Sequence, residues 1–388
     1  MISIIICLAF TALCISQMLL TINSSHSVTF KGIGFFLLII ATLIKPKLSN
    51  SIYWLAPIAV IMALNLITSH NNSAAIEELL RYLFPIIIII AIYKSPKDIR
   101  TAAKFMILIT ITNNIYQIYF YIAYFTGLPT IAPAFFDAGY LIRAEGWIGS
   151  FILFSFMNFL SFILIKHGEI LEKKNKRLEW FFILFSLLGL TVKIMAAYAV
   201  YFIATYKNKK ATKILILSVV AITLMLVLQP KIINDIFIST GGKISAYLLK
   251  GDSARAESYR VMTESLLTPN LFGEGLGAFG GPASKTYNSP LYAKYNFNWY
   301  GLDDLATTDT YYPHLFVELG LFGGTLYLYF IFFYGQRNRN KMWWVVAFSF
   351  LIDNISSFSI AAPPNYFAVA ITLLAISFKN DTLAKCRY

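Results

Sequence analysis

Apolar runs of membrane-spanning length divide the chain almost from end to end, and they constrain its fold more than any other feature. They lie at roughly 1–22, 28–45, 51–69, 79–94, 102–126, 147–165, 179–191, 193–206, 212–229, 312–334, 342–360 and 363–378. A bilayer core about 30 Å thick takes about 20 apolar residues as helix. Lipid offers no partner for backbone N–H and C=O groups, so a segment that crosses it must satisfy them internally, as a helix does. Hydrophobic residues make up 58% of the chain and charged residues only 13%, with a mean hydropathy of +0.66. Soluble domains carry about 25% charge. The expected fold is all-α integral membrane: a polytopic bundle of about twelve transmembrane helices.

The +13 net charge is not the footprint of a nucleic-acid partner, because its placement explains it. Basic residues gather at Lys45 and Lys47, at 94–104, 166–177, 207–213 and 337–341, and in the tail from Lys379. Alternating twelve spans puts all of these on one face, with both termini, as the positive-inside rule requires. The longest polar stretch, between the runs ending at 229 and beginning at 312, then falls on the opposite face. Three units follow: 1–229 as an N-terminal transmembrane bundle, 230–311 as a large outer loop, and 312–388 as the C-terminal helices and cytoplasmic tail.

Cysteine and histidine add little. Cys7 and Cys14 fall in the first run and Cys386 in the basic tail, with no spacing of a disulfide framework or a metal site. His26, His70, His167 and His314 are scattered, so no metal ligands and no cofactor are expected. The apolar start lacks a charged leader and a small-residue cleavage site, and reads as a retained first span.

Long loops inside compact structures tend to carry function. Within this one, 253–268 reads as a helix with Pro269 after its end. Tyr259, Met262 and Leu266 form an apolar stripe, and Arg255 continues it one turn earlier. Arg255 is therefore a candidate anion clamp, since a planar guanidinium grips phosphate through two hydrogen bonds. Arg260 lies off the stripe, where Glu257 and Glu264 at helical spacing provide ion pairs. The glycine-rich stretch 273–281 has neither the preceding strand nor the following Lys-Ser/Thr of a nucleotide loop, and reads as a tight turn on the membrane surface.

The chain re-enters the bilayer through Asp309, His314 and Glu318. An ionisable residue inside a span is costly and is a functional candidate for that reason. Asp309 and His314 are both candidates for a general base. Trp299, Tyr300, Tyr311 and Tyr312 read as an interfacial aromatic belt. Of the other cations outside the basic clusters, three are candidates: Arg81 behind Glu77 and Glu78, Arg143 at the mouth of a span, and Lys193 between two half-length runs. Those two short runs read as a broken or re-entrant helix.

These motifs resemble the O-antigen polymerase and ligase superfamily of bacterial polysaccharide assembly. The resemblance rests on Arg255, Tyr259, Pro269 and Leu271-Phe-Gly-Glu-Gly-Leu-Gly277, then on Asp309-Thr310 followed by Phe316-Val-Glu-Leu-Gly-Leu-Phe-Gly323. Arg143 to Gly146 is similar to the family's Arg-x-x-Gly, and Thr191-Val-Lys193 to its Thr-x-Ser-Arg turn. With the topology, it covers nearly the whole chain. Asp309-Thr310 stands where the ligase branch has His-Asn, which favours the polymerase branch.

The resemblance implies a GT-C-like enzyme of the bacterial inner membrane with its large loop in the periplasm. Its substrates would be polyprenyl-pyrophosphate-linked oligosaccharides, joined without a metal, alongside a chain-length-regulating co-polymerase. Arg255, Asp309 and His314 would then be catalytic, and Arg143, Lys193, Arg260, Arg81 and Glu318 substrate-binding. Two other activities compete: a ligase moving the glycan to the lipid A core, and a flippase for lipid-linked sugars, which would bury charge within its spans.

Overall fold

The computed structural model describes residues 2–22, 24–44, 46–130, 135–137, 142–168, 170, 175–205, 253–268, 270–301, 305–336 and 338–385. The run expected at 212–229 and the first part of the large loop lie outside the described residues. Long helices dominate, as in an all-α membrane protein. Five are long and apolar enough to cross a bilayer: Ile2–Ile22, Ser25–Ile44, Asn50–Ile67, Pro96–Thr126 and Tyr311–Phe333.

In chain order the helices are α1 (Ile2–Ile22), α2 (Ser24–Ile44), α3 (Leu55–Ile67), α4 (Asn72–Ile92), α5 (Pro96–Thr126), α6 (Phe151–His167), α7 (Lys176–Leu188) and α8 (Val192–Thr205). After the undescribed stretch come α9 (Ala254–Leu267), the short α10 (Pro282–Thr286) and α11 (Leu291–Lys294), then α12 (Tyr311–Phe333), α13 (Lys341–Asp353) and α14 (Pro363–Lys385). Between α5 and α6 a small antiparallel ribbon pairs β1 (Phe135–Asp137) with β2 (Ile142–Ala144).

Local chemistry sets the boundaries. Asn71 accepts hydrogen bonds from the N–H groups of Ser73 and Ala74, so α4 starts at Asn72, about two turns before the apolar run begins. Glu77, Glu78 and Arg81 are thereby drawn onto a helix. Ser95 caps α5, with Pro96 in its first turn. Ser253 caps α9 by accepting from Ala256. The two half-length runs form separate helices joined at 189–191, and Ser186 meets Tyr198 at 2.8 Å, so α8 folds back beside α7.

Polar side chains join the spans. Ser16 and Ser27 hydrogen-bond reciprocally across α1 and α2, at 2.8 and 2.7 Å. Asn114 and Asn158 do the same across α5 and α6, at 2.7 and 3.0 Å. Such bonds and close small-residue contacts hold helices together where lipid supplies no hydrophobic drive. From Tyr366 to Phe378, α14 is buried on every side among α1, α4, α5, α6 and α13.

The contacts at each end of the bundle agree with the charge pattern. At one end Lys47 donates to the Lys94 carbonyl, Tyr334 accepts from Ser49, and Asn338 donates to Ser377. At the other, Tyr259 donates to the Ile355 carbonyl, Lys193 to the Ser356 carbonyl, and Leu276 to the Asn65 carbonyl.

The apolar run 312–334 forms α12, which is not continuous. Gly320 has φ 67° and ψ −178°, which breaks the helix. A break inside a span exposes N–H and C=O groups that lipid cannot satisfy. The glycine-rich loop satisfies them here: Leu321 and Phe322 donate to the carbonyls of Asn270 and Leu271, and Glu274 donates to that of Val317. The loop is thus stitched into the bundle. Glycine is needed where the backbones meet: a Cβ on Gly277 would stand 2.7 Å from the backbone of Ala74.

Candidate functional site

The first segment of α12 carries His314 and Glu318 one turn apart, both buried, facing the start of α4. His314 Nδ1 lies 2.7 Å from the Phe279 carbonyl oxygen. A carbonyl only accepts, so Nδ1 carries the proton in this arrangement. His314 Nε2 lies 3.1 Å from Glu78 Oε1, yet the contact falls outside hydrogen-bond geometry and leaves both atoms without a hydrogen-bond partner. Glu318 Oε1 is 3.6 Å from Nδ1 and accepts from the Phe279 N–H at 3.0 Å, and Tyr82 donates to Glu318 Oε2 at 3.2 Å. The imidazole stacks on Tyr82, with ring centroids 5.3 Å apart, and Phe358 flanks it.

Arg81 joins this group from one turn along α4. It contacts Glu78 Oε2 and reaches Glu77 at 3.0 Å. A Cβ at Gly281 would stand 2.8 Å from both Glu78 Oε2 and the His314 ring, so the loop closes down on the cluster. Glu78, His314 and Glu318 each offer a ligand atom, all within 4.8 Å of one another, making them the set of described residues able to hold a metal ion.

A second group lies nearer solvent. Arg255 Nη2 and Asp309 Oδ2 are 2.8 Å apart, with side chains 35% and 44% exposed. Ser258 and Thr310 meet at 2.7 Å, which fastens α9 to the entrance of α12. Lys193 is 3.4 Å from Asp353 and within electrostatic reach of Arg255 and Asp309.

The remaining candidates have structural partners. Arg260 contacts Glu257 at 2.6 Å, Glu264 at 2.5 Å and the Tyr295 carbonyl at 2.6 Å. Its hydrogen bonds to Glu257 and Glu264 raise its pKa, and Arg260 in turn lowers that of Glu257. Arg143, on β2, places its guanidinium 5.1 Å from the Phe151 ring centroid. In the turn after it, Glu145 and Gly146 donate to Gln117 Oε1 at 3.1 and 2.8 Å. Burial lifts the Glu145 carboxyl to about 7, against the opposing effect of a backbone hydrogen bond from Phe151.

The structure therefore brings Arg255 to Asp309, and His314 to Glu318, with Arg81 joined through Glu78. Sequence reasoning did not single out Glu78, Tyr82 or Asp353 as site residues. A signal was present for Asp353, a lone acid in the apolar run 342–360. Glu78 stands in the sequence only as a neighbour of Glu77 ahead of Arg81. Comparison with known protein families, with curated proteins and with solved structures finds no match.

Proposed function

We propose that this chain is a polymerase of polyprenyl-pyrophosphate-linked oligosaccharide repeats, built as a twelve-span bundle with its large loop in the periplasm of the inner membrane. The observation that carries the reading is the half-exposed Arg255–Asp309 pair at the end of the bundle away from the basic clusters. It joins a cation suited to a diphosphate with a carboxylate suited to an acceptor hydroxyl, and Lys193 stands close by.

In the reaction, the acceptor hydroxyl oxygen attacks the anomeric carbon of the donor glycan. The bond from that carbon to the diphosphate oxygen breaks, and its electron pair leaves with the lipid diphosphate. Asp309 takes the hydroxyl proton, and Arg255 exchanges Asp309 for the departing anion, where developing charge is stabilised most. His314 is sealed from solvent, which makes Asp309 the better-placed base.

The test is incubation of purified protein with lipid-linked repeat units and inspection for a ladder of products. Wild type should extend the chains, Arg255→Lys should fail to, and Arg260→Lys should behave as wild type. Transfer to lipid A core with no ladder would instead make the chain a ligase. The buried Glu78–His314–Glu318 group favours the flippase reading, since that activity needs charge inside the spans. Movement of a lipid-linked sugar across proteoliposomes with no new glycosidic bond would establish it.

A further inference from the structure

We propose that Glu78, His314 and Glu318 bind one divalent metal ion, zinc or manganese, that fastens the glycine-rich loop to α4 and α12. This does not rest on the glycan chemistry. It starts from two buried atoms, Glu78 Oε1 and His314 Nε2, which face each other at 3.1 Å and have no hydrogen-bond partner. Buried polar atoms are seldom left so. A shared proton would place the ring N–H along the line between them, and the geometry does not. Two ligand atoms about 2.1 Å from a metal stand about 3 Å apart at the right angles of an octahedral ion such as manganese, and about 3.4 Å apart at the tetrahedral angle of zinc. Glu318 supplies the third ligand: a carboxylate oxygen of it, one of Glu78 and a ring nitrogen of His314 lie within 4.8 Å of one another, and its Oε1 is 3.6 Å from His314 Nδ1.

The surroundings match what metal ligands need. A ligating histidine usually gives its other N–H to a carbonyl or carboxylate, which fixes the ring, and ligating carboxylates are themselves hydrogen-bonded. His314 Nδ1 gives its proton to the Phe279 carbonyl. Glu318 is held by the Phe279 N–H and the Tyr82 hydroxyl, and Glu78 by Arg81. Arg81 offsets one of the two buried carboxylate charges, and a cation is left to answer the other. One imidazole with two carboxylates suits zinc or manganese, whereas calcium and magnesium prefer oxygen alone and copper(I) prefers sulfur. The ligands come from two helices, and the loop between them supplies both Phe279 contacts, so the ion would bind the folded chain and stabilise it.

The experiment is elemental analysis of the full-length protein, purified from membranes without chelator. About one zinc or manganese per chain is expected. Chelation should lower the temperature of thermal unfolding, and adding back zinc or manganese should restore it. Glu78→Gln and His314→Gln should lose the metal, while Arg260→Lys keeps it. Tyr82→Phe removes only a hydrogen bond to Glu318 and should weaken affinity about 10–100-fold. A wild-type protein that carries no metal and takes up neither ion after chelation overturns the proposal and leaves an imidazolium between two carboxylates. Metal retained by both Glu78→Gln and His314→Gln overturns it too, because the ion is then bound elsewhere.

Discussion

Two groups of ionisable side chains lie around the start of α12, and they differ in their solvent. Arg255 and Asp309 are open to water, with side chains 35% and 44% exposed. Glu78, His314 and Glu318 are sealed under the glycine-rich loop. An exposed pair contributes little to stability, because water and salt screen it and two side chains must be ordered. A sealed pair is different: its desolvation has already been met by the fold, so removing one member leaves a buried charge without an answer. The open pair can exchange partners with an arriving anion. The sealed group cannot do so without opening the loop. The proposed chemistry on an anion rests on the first group, and the proposed fastening of the loop on the second.

The largest expected effect separates the two groups. Glu78→Ala should cost about 3–5 kcal/mol of stability, as breaking a buried ion pair does. Arg255→Ala should cost about 1 kcal/mol or less. Thermal unfolding of both variants in the same detergent checks this. Comparable losses would mean that the two groups share one environment, and the contrast would fail.

Glu145 tests an intermediate case, a nearly buried carboxylate whose pKa burial has raised to about 7. An acid with a raised folded pKa prefers to be protonated in the folded state. Its penalty is absent below its ordinary value near 4.5, grows between there and about 7, and is complete above that. Glu145→Gln should therefore raise stability at about pH 8, by at most about 3 kcal/mol, and change it little near pH 4. Unfolding temperatures of variant and wild type across that range give the answer. A constant difference across the range would show that Glu145 does not titrate in it.

The smallest expected effect concerns Arg260, which fills its hydrogen-bonding capacity with Glu257, Glu264 and the Tyr295 carbonyl. Arg260→Lys should change stability by less than about 1 kcal/mol, since Arg260 itself is partly exposed and a lysine keeps the charge beside both carboxylates. A larger loss would show that the fork to the Tyr295 carbonyl fixes the position of α11.

Much of the fold could be read from the sequence, because the signals were local. Apolar runs located the helices among the described residues, and helical spacing paired Arg260 with Glu257 and Glu264, and Arg81 with Glu77. What escaped depended on distant parts of the chain. The sequence predicts a broken or re-entrant helix beside Lys193, and the two short runs there form short helices that fold back on each other, while a further break falls inside α12 at Gly320. Gly320, Gly323 and Gly324 are all signals of a weak point in the run 312–334, but the groups that satisfy the broken backbone and so fix it at Gly320 belong to 270–274. Asp309 and His314 were recognised as candidates, but their partners Arg255 and Glu78 come from other segments and had to be found in the fold. The cap at Asn71 also mattered: without it Glu78 reads as an outer-loop acid and not as a residue facing His314.

The break at Gly320 bears on how the molecule is made. Residues 270–274 leave the ribosome before Gly320 does, so the splint for the helix is synthesised ahead of the helix it completes. The segment that completes α12 therefore exists before α12 does. A chain translated in the reverse order would have to carry a ruptured helix into lipid and wait for its repair.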